Sequence, residues 1–88
     1  MRIKIEFFAT LRERFGKRIE LELEGSEASL SEVLSRVSGL LEEVSESGEL
    51  KPMYKVLVNG INVEFLKGLE TIVRDGDEIS IFPPAGGG

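Results

Sequence analysis

The sequence predicts an α+β domain with one main helix packed on one face of a mixed sheet. Two observations carry that prediction. Apolar and charged side chains alternate with a period of two near both ends of the chain and again in its second half, which marks strands. A single stretch between them spaces its apolar residues three and four apart, which marks an amphipathic helix. The order is strand, strand, helix, strand, short strand, strand, with no alternation of strand and helix to suggest stacked parallel units. At 88 residues the chain is one domain near the lower end of the size that folds alone.

Ile3, Ile5 and Phe7 alternate with Arg2, Lys4 and Glu6 in the first strand. Phe8 continues the charged phase, so its ring is expected to face away from the core. Thr10 to Gly16 reads as a short helical turn closed by glycine. Ile19, Leu21 and Leu23 then alternate with Arg18, Glu20, Glu22 and Glu24 in a second strand, so the first two strands form a hairpin. Ser29 and Glu32 have capping-box spacing, and Leu30, Val33, Leu34 and Val37 follow as one buried stripe. Gly39 ends or kinks this helix, and Leu40, Leu41 and Val44 continue its stripe or form a second turn. Ser45 to Lys51 reads as a loop.

Tyr54 to Val58 is a third strand. Asn59-Gly60 predicts a type I′ turn, because both positions tolerate positive φ, and Ile61 to Val63 is the short return strand. Glu64 to Thr71 carries no clear signal. Asp75-Gly76-Asp77 is a tight turn into the last strand, where Ile79 and Ile81 alternate with Glu78, Ser80 and Phe82. Here too the aromatic, Phe82, falls on the outward phase. The folded domain is expected over residues 1–82, followed by a flexible glycine-rich tail over 83–88.

Composition narrows the chemistry. The chain has no cysteine and no histidine, hence no disulfide, no thiolate metal site and no imidazole base. No metal site is expected, and the chain is poorly equipped as a catalyst. The net charge of −5 argues against nucleic acid. No apolar run is long enough to span a membrane, and Met1 leads directly into a strand with no room for a signal peptide, so a cytoplasmic protein is expected. Charge is uneven. Arg2, Lys4, Arg12, Arg14, Lys17 and Arg18 dominate residues 1–18, whereas Arg36 stands against nine acidic residues between 19 and 50. That acidic block reads as a solvated face or as a surface that steers the domain toward a basic partner.

The most informative segment is the last one, Phe82-Pro83-Pro84-Ala85-Gly86-Gly87-Gly88. Pro83 and Pro84 fix φ and cannot continue a central strand, so they hold the tail off the domain. Glycines have no Cβ and can pass through a channel closed to any other residue. Fully extended, Ala85 to Gly88 reach about 13–14 Å. One reading is a carboxylate presented to a deep pocket of another protein. The other is a disordered tail with no role.

The opening Phe7-Phe8-Ala9-Thr10-Leu11-Arg12-Glu13-Arg14-Phe15-Gly16 and the ending Asp75-Gly76-Asp77-Glu78-Ile79 with Phe82 to Gly88 resemble the MoaD branch of the MoaD/ThiS sulfur carriers. The resemblance covers the whole chain in length and element order. One departure is a third glycine, Gly86, where that family usually has another small or polar residue; the terminal pair Gly87-Gly88 is in place. The resemblance implies a ubiquitin-like β-grasp fold with the first and last strands adjacent and parallel. Phe8 and Phe82 would then form one exposed aromatic patch at the root of the tail, or cap the small end of the core. Arg12 falls at the arginine position of the opening motif and joins that surface or is simply solvated. Phe8, Arg12, Phe82, Pro83 and Pro84 are the implied partner-binding residues, and Gly86, Gly87 and Gly88 the implied tail.

The implied chemistry lies at Gly88. An E1-like (MoeB-like) enzyme, using its own ATP and Mg²⁺, adenylates the carboxylate, and a sulfur donor converts it to a thiocarboxylate. The large molybdopterin synthase subunit (MoaE-like) then passes the sulfur to a cyclic pyranopterin phosphate. The carrier itself holds no cofactor. Three alternatives stay open: a ubiquitin-like modifier joined through Gly88 to lysines, a carrier for thiamine synthesis or another pathway, and an interaction domain with an inert tail.

Overall fold

In the computed structural model, residues 1–84 are described. Strand β1 (Arg2–Phe7) and strand β2 (Arg18–Glu22) pair antiparallel around helix α1 (Leu11–Phe15), with Ile3 opposite Leu21 and Ile5 opposite Ile19. The chain then forms the short strand β3 (Glu27–Ser29), helices α2 (Leu30–Ser35) and α3 (Leu40–Val44), and the small strands β4 (Ser45–Glu46) and β5 (Glu49–Leu50). It returns to the main sheet as β6 (Lys55–Val58) and β7 (Ile61–Asn62), pairs β3 through β8 (Ile72–Arg74), and ends on β9 (Glu78–Phe82).

The five-stranded sheet has the order β2-β1-β9-β6-β7. The first and last strands lie side by side and parallel, Ile5 beside Ile79 and Phe7 beside Ile81. β6 closes on the other flank of β9, antiparallel, with Val56 opposite Ile81 and Val58 opposite Ile79. Because side chains alternate along a strand, this register puts Ile3, Ile5, Phe7, Ile79 and Ile81, all fully buried, on one face.

The helices cover that face. Leu30, Val33 and Leu34 of α2 and Leu40 and Val44 of α3 are fully buried against it. Ser29 caps α2 by accepting the Glu32 N–H at 3.1 Å, the half of the box that satisfies a free donor of the first turn. Gly39, at φ 80°, divides α2 from α3. The left-handed turn there lets the chain double back and point Leu40 into the core. Phe15 stacks on Phe7 at 5.1 Å and ties α1 to the sheet.

Of the two expectations for Gly39 the structure takes the first: the main helix ends before it, at Ser35, and Leu40 to Val44 form a separate short helix. The expected loop from Ser45 to Lys51 is instead a hairpin, with Ser47 and Gly48 both at positive φ between β4 and β5. The stretch without a clear signal holds two 3₁₀ turns, Val63–Phe65 and Gly68–Glu70. β3 and β8 were not legible as strands: each has three residues and is held only by the other.

Candidate functional site

The candidate site is the end of the sheet where β1 and β9 finish together. The parallel register that pairs Phe7 with Ile81 carries Phe8 and Phe82 to the same height. The Phe8 N–H donates to the Ile81 carbonyl at 3.2 Å, extending the ladder by one residue. The two rings stack with centroids 4.2 Å apart and planes 12° from parallel. Both remain partly open to solvent, so they cap the outer face of the sheet and not its core.

Ala9, at φ 51°, turns the chain sharply after Phe8 and starts α1. The first turn of α1 brings Arg12 back over the strand it has just left. Its Nε donates to the Phe7 carbonyl at 2.8 Å, and its guanidinium lies 5.3 Å from the centre of the Phe8 ring. Glu6 approaches the same guanidinium at 4.0 Å. Arg12 is thus held by backbone, ring and carboxylate, with its remaining donors facing solvent.

Two further residues join this surface. The antiparallel register sets Lys55 opposite Phe82 and Leu57 opposite Ser80, so Lys55 and Leu57 share the outward face with the aromatic pair. The outward phase of Lys55 and Leu57 was the available signal, but only the order of strands shows which neighbour they meet. The result is an apolar patch flanked by two cations, Arg12 and Lys55, on a chain whose net charge is −5.

β9 runs directly into Pro83 and Pro84, which are half-buried beside this patch's strand end. Neither has an N–H to offer a neighbouring strand. The expected tail residues Gly86 and Gly87 and the expected reactive residue Gly88 lie outside the described residues. Among the described residues no group of three or more His, Cys, Asp or Glu side chains converges on a point that could hold a metal ion. Among the described residues no helix is long and apolar enough to cross a membrane.

Fold and site together define a ubiquitin-like β-grasp protein whose last central strand ends, at Phe82 to Pro84, beside a half-buried, outward-facing aromatic pair. The model of the ThiS family matches residues 5–88, and the chain belongs to this family of ubiquitin-like sulfur carriers, ThiS and MoaD among them. It is 38% identical to small archaeal modifier protein 3 of Haloferax volcanii, with all of both chains covered. It is 29% identical to the sulfur carrier protein CysO of Mycobacterium tuberculosis, again over all of both chains. The crystal structure of the Amycolatopsis orientalis BexX/CysO complex superposes with a TM-score of 0.76 at 30% identity, covering 98% of this chain and 99% of that one.

Proposed function

We propose that this protein is a cytoplasmic, non-enzymatic sulfur carrier that works through the carboxylate of Gly88, and that it serves as the small subunit of a molybdopterin synthase. The observation that carries the proposal is the position of the tail root. β9 leads out of the sheet beside the Phe8–Phe82 stack, so a partner that grips the aromatic patch also holds the root of the tail.

A carboxylate is a poor electrophile and must be activated. Its oxygen attacks the α-phosphorus of ATP in the activating enzyme, and pyrophosphate leaves. The terminal sulfur of a donor persulfide attacks the acyl carbon, and AMP leaves. A thiol then cleaves the acyl disulfide, taking up the inner sulfur as a disulfide and releasing a thiocarboxylate on Gly88. That sulfur is the nucleophile handed to the cyclic pyranopterin phosphate in the large subunit. ATP and Mg²⁺ belong to the activating enzyme. This chain supplies the docking patch, the reach of the tail and the reacting carbon, and its lack of cysteine leaves the tail as the place for sulfur.

A second reading is favoured by the Haloferax volcanii relative, which is named a modifier. The same acyl-adenylate could pass to a lysine amine. Mass spectrometry of the C-terminal peptide from the natural host separates the two. Sulfur replacing oxygen at Gly88 is expected for the carrier. A Gly88–lysine branch with no sulfur form would replace that reading with protein modification. The peptide is needed because oxidation of Met1 or Met53 adds nearly the same mass. Incubating the thiocarboxylate form with a large synthase subunit and pyranopterin precursor tests the client, since sulfur should leave Gly88 as the dithiolene forms.

A further inference from the structure

Five large apolar side chains of the described residues are strongly exposed, and four of them, Ile61, Phe65, Leu66 and Ile72, line one groove. Phe65 is the extreme case at 82% exposed. The groove lies between the outer strand β7 and strand β8, and Asp77 borders it at the start of β9. Phe82 ends the same strand five residues on, about 16 Å away along the chain. The groove is therefore at the opposite end of β9 from the tail root.

The exposure of Phe65 is built in. Val63, two residues before it, is fully buried, and the Asn62 side chain accepts the Glu64 N–H at 2.9 Å. On the other side Thr71 is buried; its hydroxyl accepts the Lys67 N–H at 3.1 Å and its carbonyl accepts the Leu30 N–H at 2.8 Å. The segment is pinned on both sides, and Phe65 and Leu66 project between the pins. Apolar patches of this kind on a soluble domain commonly mark interaction surfaces.

The charges lining the groove say what it would accept. They are Lys67, Arg74 and Asp77. Asp77 is already engaged, one carboxylate oxygen accepting from the Asn59 amide at 2.9 Å and the other from the Arg74 N–H at 2.8 Å. Arg74 pairs with Glu27 at 3.3 Å. Lys67 has no carboxylate partner among the described residues. Glu64 and Glu70 stand three residues to either side of Lys67 without forming an ion pair with it, so the groove presents a cation with its ammonium unpaired beside apolar side chains.

We propose that this groove docks a segment of a partner protein that combines apolar side chains with a carboxylate. The apolar side chains cover Phe65 and its neighbours, and the carboxylate meets Lys67. A second copy of this chain would bring its own net charge of −5 to the contact and is the alternative that the test separates. Separation from the tail root allows both sites to be occupied together, so the groove can hold a client or a supplier while the tail is inside another active site.

The test is selection of a phage-displayed library of random peptides, about a dozen residues long, on the full-length protein. Enriched peptides should combine Leu, Ile or Phe with Asp or Glu. They should bind Phe65→Asp roughly tenfold or more weakly, as for an anchor worth more than about 1.4 kcal/mol. They should bind Lys67→Glu about fivefold more weakly, the size of one exposed charge pair, and Phe82→Ala as well as wild type. Circular dichroism of Phe65→Asp establishes that it folds; the Lys67→Glu and Phe82→Ala readings stand without it. No enrichment, peptides rich in Lys or Arg, or equal binding to Lys67→Glu would overturn the proposal. Sedimentation showing a dimer that Lys67→Glu strengthens would give the groove to a second copy instead. None of these outcomes bears on sulfur at Gly88.

Discussion

Tyr54 shows how one side chain records the packing around it. Its hydroxyl donates to Glu43, which also receives Arg14. The hydrogen bond to Glu43 is the main cause that raises the Tyr54 pKa, burial and the negative charge of Glu43 add to it, and Arg14 pulls the other way. The folded state therefore favours the protonated phenol. A raised folded pKa stabilises fully below the unfolded value of about 10 and loses that contribution as pH rises through the folded one. Wild type should be more stable than Tyr54→Phe at pH 8, and the margin should shrink above pH 10, as read from urea midpoints. A margin that is constant or grows with pH would contradict this assignment. Phe82 makes the complementary case. It is outward, half-buried and stacked on Phe8, so Phe82→Ala should cost about 1 kcal/mol of stability, the worth of the lost ring pair, and leave the fold intact. Affinity for the activating enzyme or synthase subunit should fall by about 2 kcal/mol, the loss expected of an interface anchor. Calorimetric titration showing wild-type affinity would remove the patch from the docking surface.

Elements divide by how much of their signal is local. β1, β2, β6 and β9 were legible because alternation survives in any strand with one buried face. The Asn59-Gly60 turn was legible because few residues accept its backbone; the two φ values are 50° and 84°. Asn59 adds a reason the sequence could not show, accepting the Glu78 N–H and donating to Asp77, and so joining two turns. β3 and β8 were illegible because their conformation is imposed by contacts between distant residues, such as Ala28 beside Val73. Gly39 lies between these cases. A Cβ there would sit 2.6 Å from Arg14 Nη2, yet that atom ends a flexible side chain and can move. The positive φ is what cannot be relieved. Gly39→Ala should cost about 1–2 kcal/mol, the penalty of a left-handed L-residue, and should cost the same in an Arg14→Ala background. A penalty that vanishes in that background would show that the clash, not the backbone, requires glycine.

At the scale of the whole molecule, the topology makes the two ends of the chain one site. The aromatic pair draws one ring from residue 8 and one from residue 82, and the parallel β1–β9 register is what joins them. The outward phase of each ring was legible alone; their contact came from the family resemblance, because periodicity says nothing of strand order. This separation of scaffold from tail leads to a prediction about length. The proposed chemistry needs a Gly88 carboxylate oxygen to reach the α-phosphorus of ATP, and the reach is limited by the tail's residue count from Pro83 onward, at about 3.3–3.6 Å for each residue. One alanine added after Gly88 moves the carboxylate by that distance, far beyond the tolerance of in-line attack, and puts a Cβ in a channel suited to glycine. The extended protein should melt as wild type does and bind the activating enzyme through Phe8 and Phe82. It should fail to support ATP–pyrophosphate exchange, with a loss of at least about a hundredfold. Removing Gly88 should fail in the same assay for the opposite reason. If the extended protein exchanges pyrophosphate at the wild-type rate, Gly88 is not the activated residue, and the patch at the root of the tail serves a different partner.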